Sequence, residues 1–190
     1  MKDQLKTDPD FLSKIITGGE SWCYGYDPET RQQSSQWKSA SSPRPKKARQ
    51  VKSNVKAMLI CFFDIKGLVH FEFIPQGQTV NQQFYLEVLK RLHDAVQRNT
   101  PNCGSQVSGF CIRTMLPPYF PDLAPCDFFL FSRMKRDLKG KRFQNVEEVG
   151  EKTTEALKAI TLQEFQNCFE QWKKWWDKCT DSQGEYFEGD

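Results

Sequence analysis

Between Lys38 and Lys56 the sequence places Lys38, Arg44, Lys46, Lys47, Arg49, Lys52 and Lys56 with no acidic residue among them, and PRPKKAR at the centre. Such a run can hold phosphates or be read as a nuclear-import signal, and it can equally be a solvated, flexible loop. A second group of interest is Asp127, in PDLAPCDFFLF, where a carboxylate at a helix start is favoured by the helix dipole whether or not it does chemistry. Other reactive side chains are sparse. The seven cysteines, at 23, 61, 103, 111, 126, 168 and 179, include no CxxC pair. They read as reduced intracellular thiols rather than a disulfide frame or a zinc site. With only His70 and His93, a histidine-rich metal centre is not expected either.

Positioning these groups requires a sheet and helices. KIITGGESWCY (14–24) has the β-branched and aromatic residues of a strand, interrupted by two glycines. Residues 27–54 are poor in apolar residues, and a loop of that length is usually functional or disordered. AMLICFFD (57–64) is a continuous apolar run suited to the middle of a sheet, and LVHFEFI (68–74) alternates as its hairpin partner. A helix follows, with Thr79 and Gln82 as a capping box and Val80, Phe84, Val88, Leu92 and Val96 as its buried stripe. Residues 99–116 change character, and only Phe110–Leu116 suits a strand. A helix is expected from about Pro125 to Gly140, a natural stop. Asn145 with Glu148, and Thr161 with Glu164, predict two more helix starts. Trp172, Trp175 and Trp176 then either fill a core or form a sticky interface.

The 190 residues suit one domain, 1–190, and 38% hydrophobic content fits a globular class. No run of about 18 apolar residues suggests a membrane span, and the first residues have no apolar core of a signal peptide. An intracellular location, nuclear or cytoplasmic, is the expectation. A net charge of +3 is too small to name a partner.

The strings IITGGESWCYGYDPET, QSSQWKS, SSPRPKKAR, FFDIKGLVHFEFIPQGQTVNQQFYLEVLKRL, PPYFPDLAPCDFFLF, QWKKWWDKC and GEYFEG resemble the catalytic domain of mariner transposases. The resemblance covers nearly the whole chain except about 99–116 and keeps register on both sides of that gap. It implies an α/β, RNase H-like mixed sheet with flanking helices. It also implies DNA cleavage and strand transfer by two divalent metal ions, ancestrally Mg²⁺, held by three carboxylates. Two ions roughly 3.5–4 Å apart activate the attacking oxygen and stabilise the leaving one, and hard cations want anionic oxygen ligands.

Carried over residue by residue, the first carboxylate position is Gly19, in TGGESW. Glu20 is adjacent, but neighbouring side chains on a strand point to opposite faces. The second belongs to a His-Asp-Asn motif that this sequence lacks, and between Thr100 and Phe120 there is no Asp or Glu at all. A strand, a helix and a further strand would need roughly 30–40 residues there. Residues 99–116 therefore read as a deletion scar, leaving the sheet incomplete before a helical C-terminal end. The third carboxylate aligns with Asp127; Asp64 and Asp122 read as turn or cap residues. One carboxylate of three predicts a catalytically inactive domain with no metal or other cofactor.

DNA binding and dimerisation do not need the metals. The family places two helix-turn-helix modules before the catalytic domain. This sequence starts almost at the first catalytic strand, so specific recognition of transposon ends is not expected of it. Residues 27–56 correspond to a clamp-like loop that reaches toward DNA and a second subunit. Weak, non-specific DNA binding through its seven basic residues is the expectation, with a homodimer as a further option and no membrane or small-molecule partner. The alternatives are a protein-interaction or dimerisation module that touches no DNA, and a transposon relic without function.

Overall fold

The computed structural model describes residues 11–30, 34, 35, 39, 50–99, 110–113 and 124–181. After a 3₁₀ turn (Phe11–Lys14), β1 runs from Ile15 to Tyr24, β2 from Lys56 to Asp64 and β3 from Gly67 to Ile74. Helix α1 covers Gln82–Asn99 and β4 covers Phe110–Arg113. A π-helical segment, Cys126–Phe131, leads into α2 (Ser132–Leu138), followed by α3 (Val146–Lys158) and α4 (Leu162–Asp181).

The sheet order is β3-β2-β1-β4. β1, β2 and β3 are antiparallel, whereas β4 lies parallel to β1, with Ile15 opposite Phe110 and Gly18 opposite Arg113. The mixed α/β sheet is RNase H-like, as the resemblance implies. β4 lies beside β1 at the sheet edge, and its sequence, FCIR, carries no carboxylate. The prediction of a strand starting at Phe110 holds for its first four residues.

Alternation along β2 explains why its apolar run is continuous. Leu59, Cys61 and Phe63 face a core formed with α2, α3 and α4, while Ile60 and Phe62 face a second core under α1, with Phe84, Val88 and Leu92. The sheet is thus sandwiched between one helix and three. Trp172 is fully buried in the larger core and Trp176 packs against it, so these two take the core reading, while Trp175 is half-buried with its ring 4.8 Å from that of Phe128. No described helix is long and apolar enough to cross a membrane.

Local chemistry sets the element ends. Asp64 accepts from the N–H groups of Lys66 and Gly67 at 2.7 and 3.0 Å, and Gly67 takes φ of 133°, closing the β2–β3 turn. The predicted caps hold at Asn145, which accepts from Glu148 N–H at 2.8 Å, and at Thr161, whose N–H donates to Glu164 at 2.9 Å. At α1 the cap is Asn81 rather than Thr79: Asn81 Oδ1 accepts from Phe84 N–H at 2.8 Å. Asn caps better than Thr, and the later start still aligns the apolar stripe. The helix expected from Pro125 begins in π form. Its wider turn brings Cys126, Leu130 and Phe131 all into the buried side, and Ser132 Oγ donates to the Asp127 carbonyl at 2.9 Å.

Candidate functional site

The candidate site lies where β1 passes the π-helical segment. Gly18 and Gly19 fill the crossing for steric reasons. A Cβ on Gly18 would run into the Phe62 ring, and one on Gly19 would lie 2.9 Å from Cys126 Cβ and 3.2 Å from Phe131 Cε2. The two glycines therefore face opposite cores, and residue 19 points at the helix that carries Asp127. Glu20, the next residue, faces away and lines a groove with Trp22 and Met58.

Asp127 is exposed in the first turn of its segment, with its N–H donating to the Ala124 carbonyl at 2.9 Å. Partial burial of its carboxyl raises the pKa; the Lys135 ammonium works against that, and the Glu20 carboxylate adds to it. Lys135 in turn donates to Ser21 Oγ at 2.6 Å, and burial lowers its own pKa. Lys135 thus acts on Asp127 through its charge, while its hydrogen bond goes to Ser21. Among the described residues no group of three or more His, Cys, Asp or Glu is placed to hold a metal ion. Two Mg²⁺ ions need several anionic oxygens. The described residues do not fit such a pair.

Of the seven basic candidates, Lys38, Arg44, Lys46, Lys47 and Arg49 lie outside the described residues. Lys52 and Lys56 lie on the segment that returns from the loop to β2. Lys52 Nζ stands 4.6 Å from the Tyr24 ring centroid and 3.7 Å from Asp27, and Lys56 Nζ stands 4.3 Å from the Trp22 ring centroid. Arg142 repeats the arrangement over Tyr26 at 4.3 Å. The alternating aromatic residues 22, 24 and 26 each meet a cation. Their period of two was visible in the sequence. Lys135 and Arg142 had no such signal, because their partners are distant in the chain.

The root of the loop is stitched from both sides. Gly25 N–H donates to Val55 at 2.7 Å, Ser53 N–H to Tyr26 at 2.9 Å, and Phe143 N–H to Gly25 at 2.6 Å. β1 is thus flanked by β4 along Ile15–Gly18, and residues 142–143 flank the chain beyond its far end, at Gly25–Tyr26. The side of β1 away from β2 is covered by β4 along Ile15–Gly18. Among the described residues, Gly19–Tyr24 has no strand partner on that side.

The family Transposase (partial DDE domain) matches residues 27–105. The chain is 28% identical over 201 residues to Mariner Mos1 transposase of Drosophila mauritiana, covering 94% of this chain and 57% of that protein. Its fold superposes on a pre-cleavage Mos1 transpososome with TM-score 0.80 at 26% identity, covering 98% of this chain and 60% of the other. In sequence and fold the chain is similar to the catalytic region of mariner transposases. The isolated catalytic domain of Mos1 mariner transposase shares this mariner-like fold too, with TM-score 0.71 at 24% identity over 98% of this chain and 89% of that one. Histone-lysine N-methyltransferase SETMAR of Homo sapiens is 24% identical over 200 residues, which is 94% of this mariner-like chain and 29% of SETMAR. The chain therefore spans 57% and 29% of the lengths of these two relatives.

Proposed function

We propose that this is a mariner transposase-derived domain that is catalytically inactive and binds DNA weakly and without sequence preference through Lys38, Arg44, Lys46, Lys47, Arg49, Lys52 and Lys56. The observation that carries the loss of catalysis is the crossing of β1 and the π-helical segment. The face of residue 19 meets Cys126 rather than a second carboxylate, and among the described residues no group of three or more acidic, His or Cys side chains is placed to hold a metal ion. DNA binding draws its support from the acid-free basic run, from two of its lysines on the surface beside β1, and from the likeness to a transpososome.

Plasmid nicking with Mg²⁺ and Mn²⁺, alongside calorimetric titration of both ions, tests the first part. The expected result is no nicking and no metal binding. Metal-dependent nicking that Asp127→Ala abolishes overturns it. Titration with duplex DNA at about 50 and about 200 mM salt tests the second part. If about five basic side chains meet phosphates, affinity falls on the order of several hundredfold across that range. Concentration-dependent self-association with no DNA binding at either salt would sink this part and favour an interaction module.

A further inference from the structure

We propose that the groove beside β1 and β2, at the N-terminal end of α1, takes an unpaired nucleobase of a single-stranded polynucleotide. The base stacks on Trp22, with its phosphate on Lys56 and Lys52. This rests on the DNA-binding reading and states which form of nucleic acid this face selects.

The groove has a volume of about 680 Å³ and is lined by Glu20, Trp22, Asn54, Lys56, Gln76 and Gln78 among others. That is within the range of about 300–1,000 Å³ that accepts a ligand of nucleotide size. Trp22 is 37% exposed, and it is the one aromatic residue among the large hydrophobic side chains that the described surface leaves exposed. An indole in water on a strand whose opposite face is buried offers a flat apolar plate. Lys56 Nζ, 4.3 Å from its ring centroid, already marks the electron-rich face that a base would share.

Polarity sets the direction of the ligand. Lys56 Nζ lies over the Trp22 ring and Lys52 Nζ over Tyr24, two residues further along β1, so the positive charge extends from Trp22 toward Tyr24. Glu20 lies two residues away on the other side and repels a phosphate. The backbone of the strand is therefore expected at the Lys52–Lys56 end. The amides of Asn54, Gln76 and Gln78 both donate and accept, so they satisfy any base edge without selecting one. Stacking on an aromatic plate with cations alongside is the arrangement that holds single strands, whereas bases stacked within a duplex cannot present a face to it.

The test is fluorescence anisotropy with labelled oligothymidine and oligouridine of about 15 nucleotides, and with a duplex of equal length, at low salt. Wild type is expected to bind the single strand more tightly than the duplex. Trp22→Ala should weaken oligothymidine binding about tenfold and leave the duplex unchanged. Trp22→Phe should retain most of the affinity, which separates loss of stacking from loss of fold. Lys56→Ala should weaken both, and Lys90→Ala, on the exposed side of α1, neither. Equal binding of oligouridine extends the ligand to RNA, and weaker binding restricts it to DNA; both fit the groove. Duplex binding with an unchanged single-strand affinity in Trp22→Ala overturns the groove alone. No binding of any polynucleotide overturns the DNA-binding reading as well.

Discussion

Gly19 lies so close to Cys126 that a single added carbon would come within 2.9 Å of the cysteine Cβ. The relationship couples the position that the mariner resemblance assigns to a first carboxylate with the helical segment that carries Asp127. Both atoms belong to ordered backbone elements, so neither can swing aside as a long side chain would. Gly19→Asp is expected to destabilise the fold by about 1–3 kcal/mol through overpacking. The same change in a Cys126→Gly background should cost less, because the opposing Cβ is gone, and urea titrations of the four proteins give the coupling directly. Additive costs would show that the crossing relaxes freely.

A pH-dependent term comes from Glu164. Hydrogen bonds from Thr161 N–H and from Arg133 hold its carboxyl at about 2, below its ordinary value. A depressed carboxylate stabilises the fold above the unfolded pKa and loses that contribution as pH falls through the folded one. Glu164→Gln should therefore be less stable than wild type by about 1 kcal/mol near neutral pH, the usual worth of a helix cap. The gap should close between about pH 4.5 and about pH 2. Chemical denaturation across that window checks it, and a gap that widens toward acid refutes the assignment.

Trp172 is fully buried, and its indole N–H has no hydrogen-bond partner. Trp172→Ala leaves a large cavity beside Phe169 and should cost about 3–5 kcal/mol. Trp172→Phe removes the unpaired donor as well as some volume, so its cost should be clearly smaller. Thermal unfolding of both variants measures the difference. Equal costs would mean that the indole nitrogen is bonded in solution.

The elements whose identity depends on local pattern were readable from the chain. The hairpin of AMLICFFD and LVHFEFI, the stripe of α1 and the caps at Asn145 and Thr161 each have their signal within a few residues. The cap of α1 was misplaced by two residues because Thr79 and Asn81 both suit the role, and only backbone geometry chooses between them. The π-helical turn was not readable, since α and π forms share the same residue preferences and core fit decides. At the site, the alternation of Gly19 and Glu20 followed from strand geometry alone. The Lys135–Ser21 contact did not, because it joins residues 114 positions apart and only tertiary packing brings them together.

The hydrogen bonds from Gly25 to Val55 and from Phe143 to Gly25 have a consequence for the chain between them. Both described ends of the loop are clasped by the same short stretch of backbone, Gly25–Tyr26. The length of the loop adds only a logarithmic entropy of closure. Cleavage of the chain within the loop is therefore expected to leave the sheet and its two cores assembled. The Gly25 backbone is in that sense a buckle, holding the two described ends of the loop to each other and to the body.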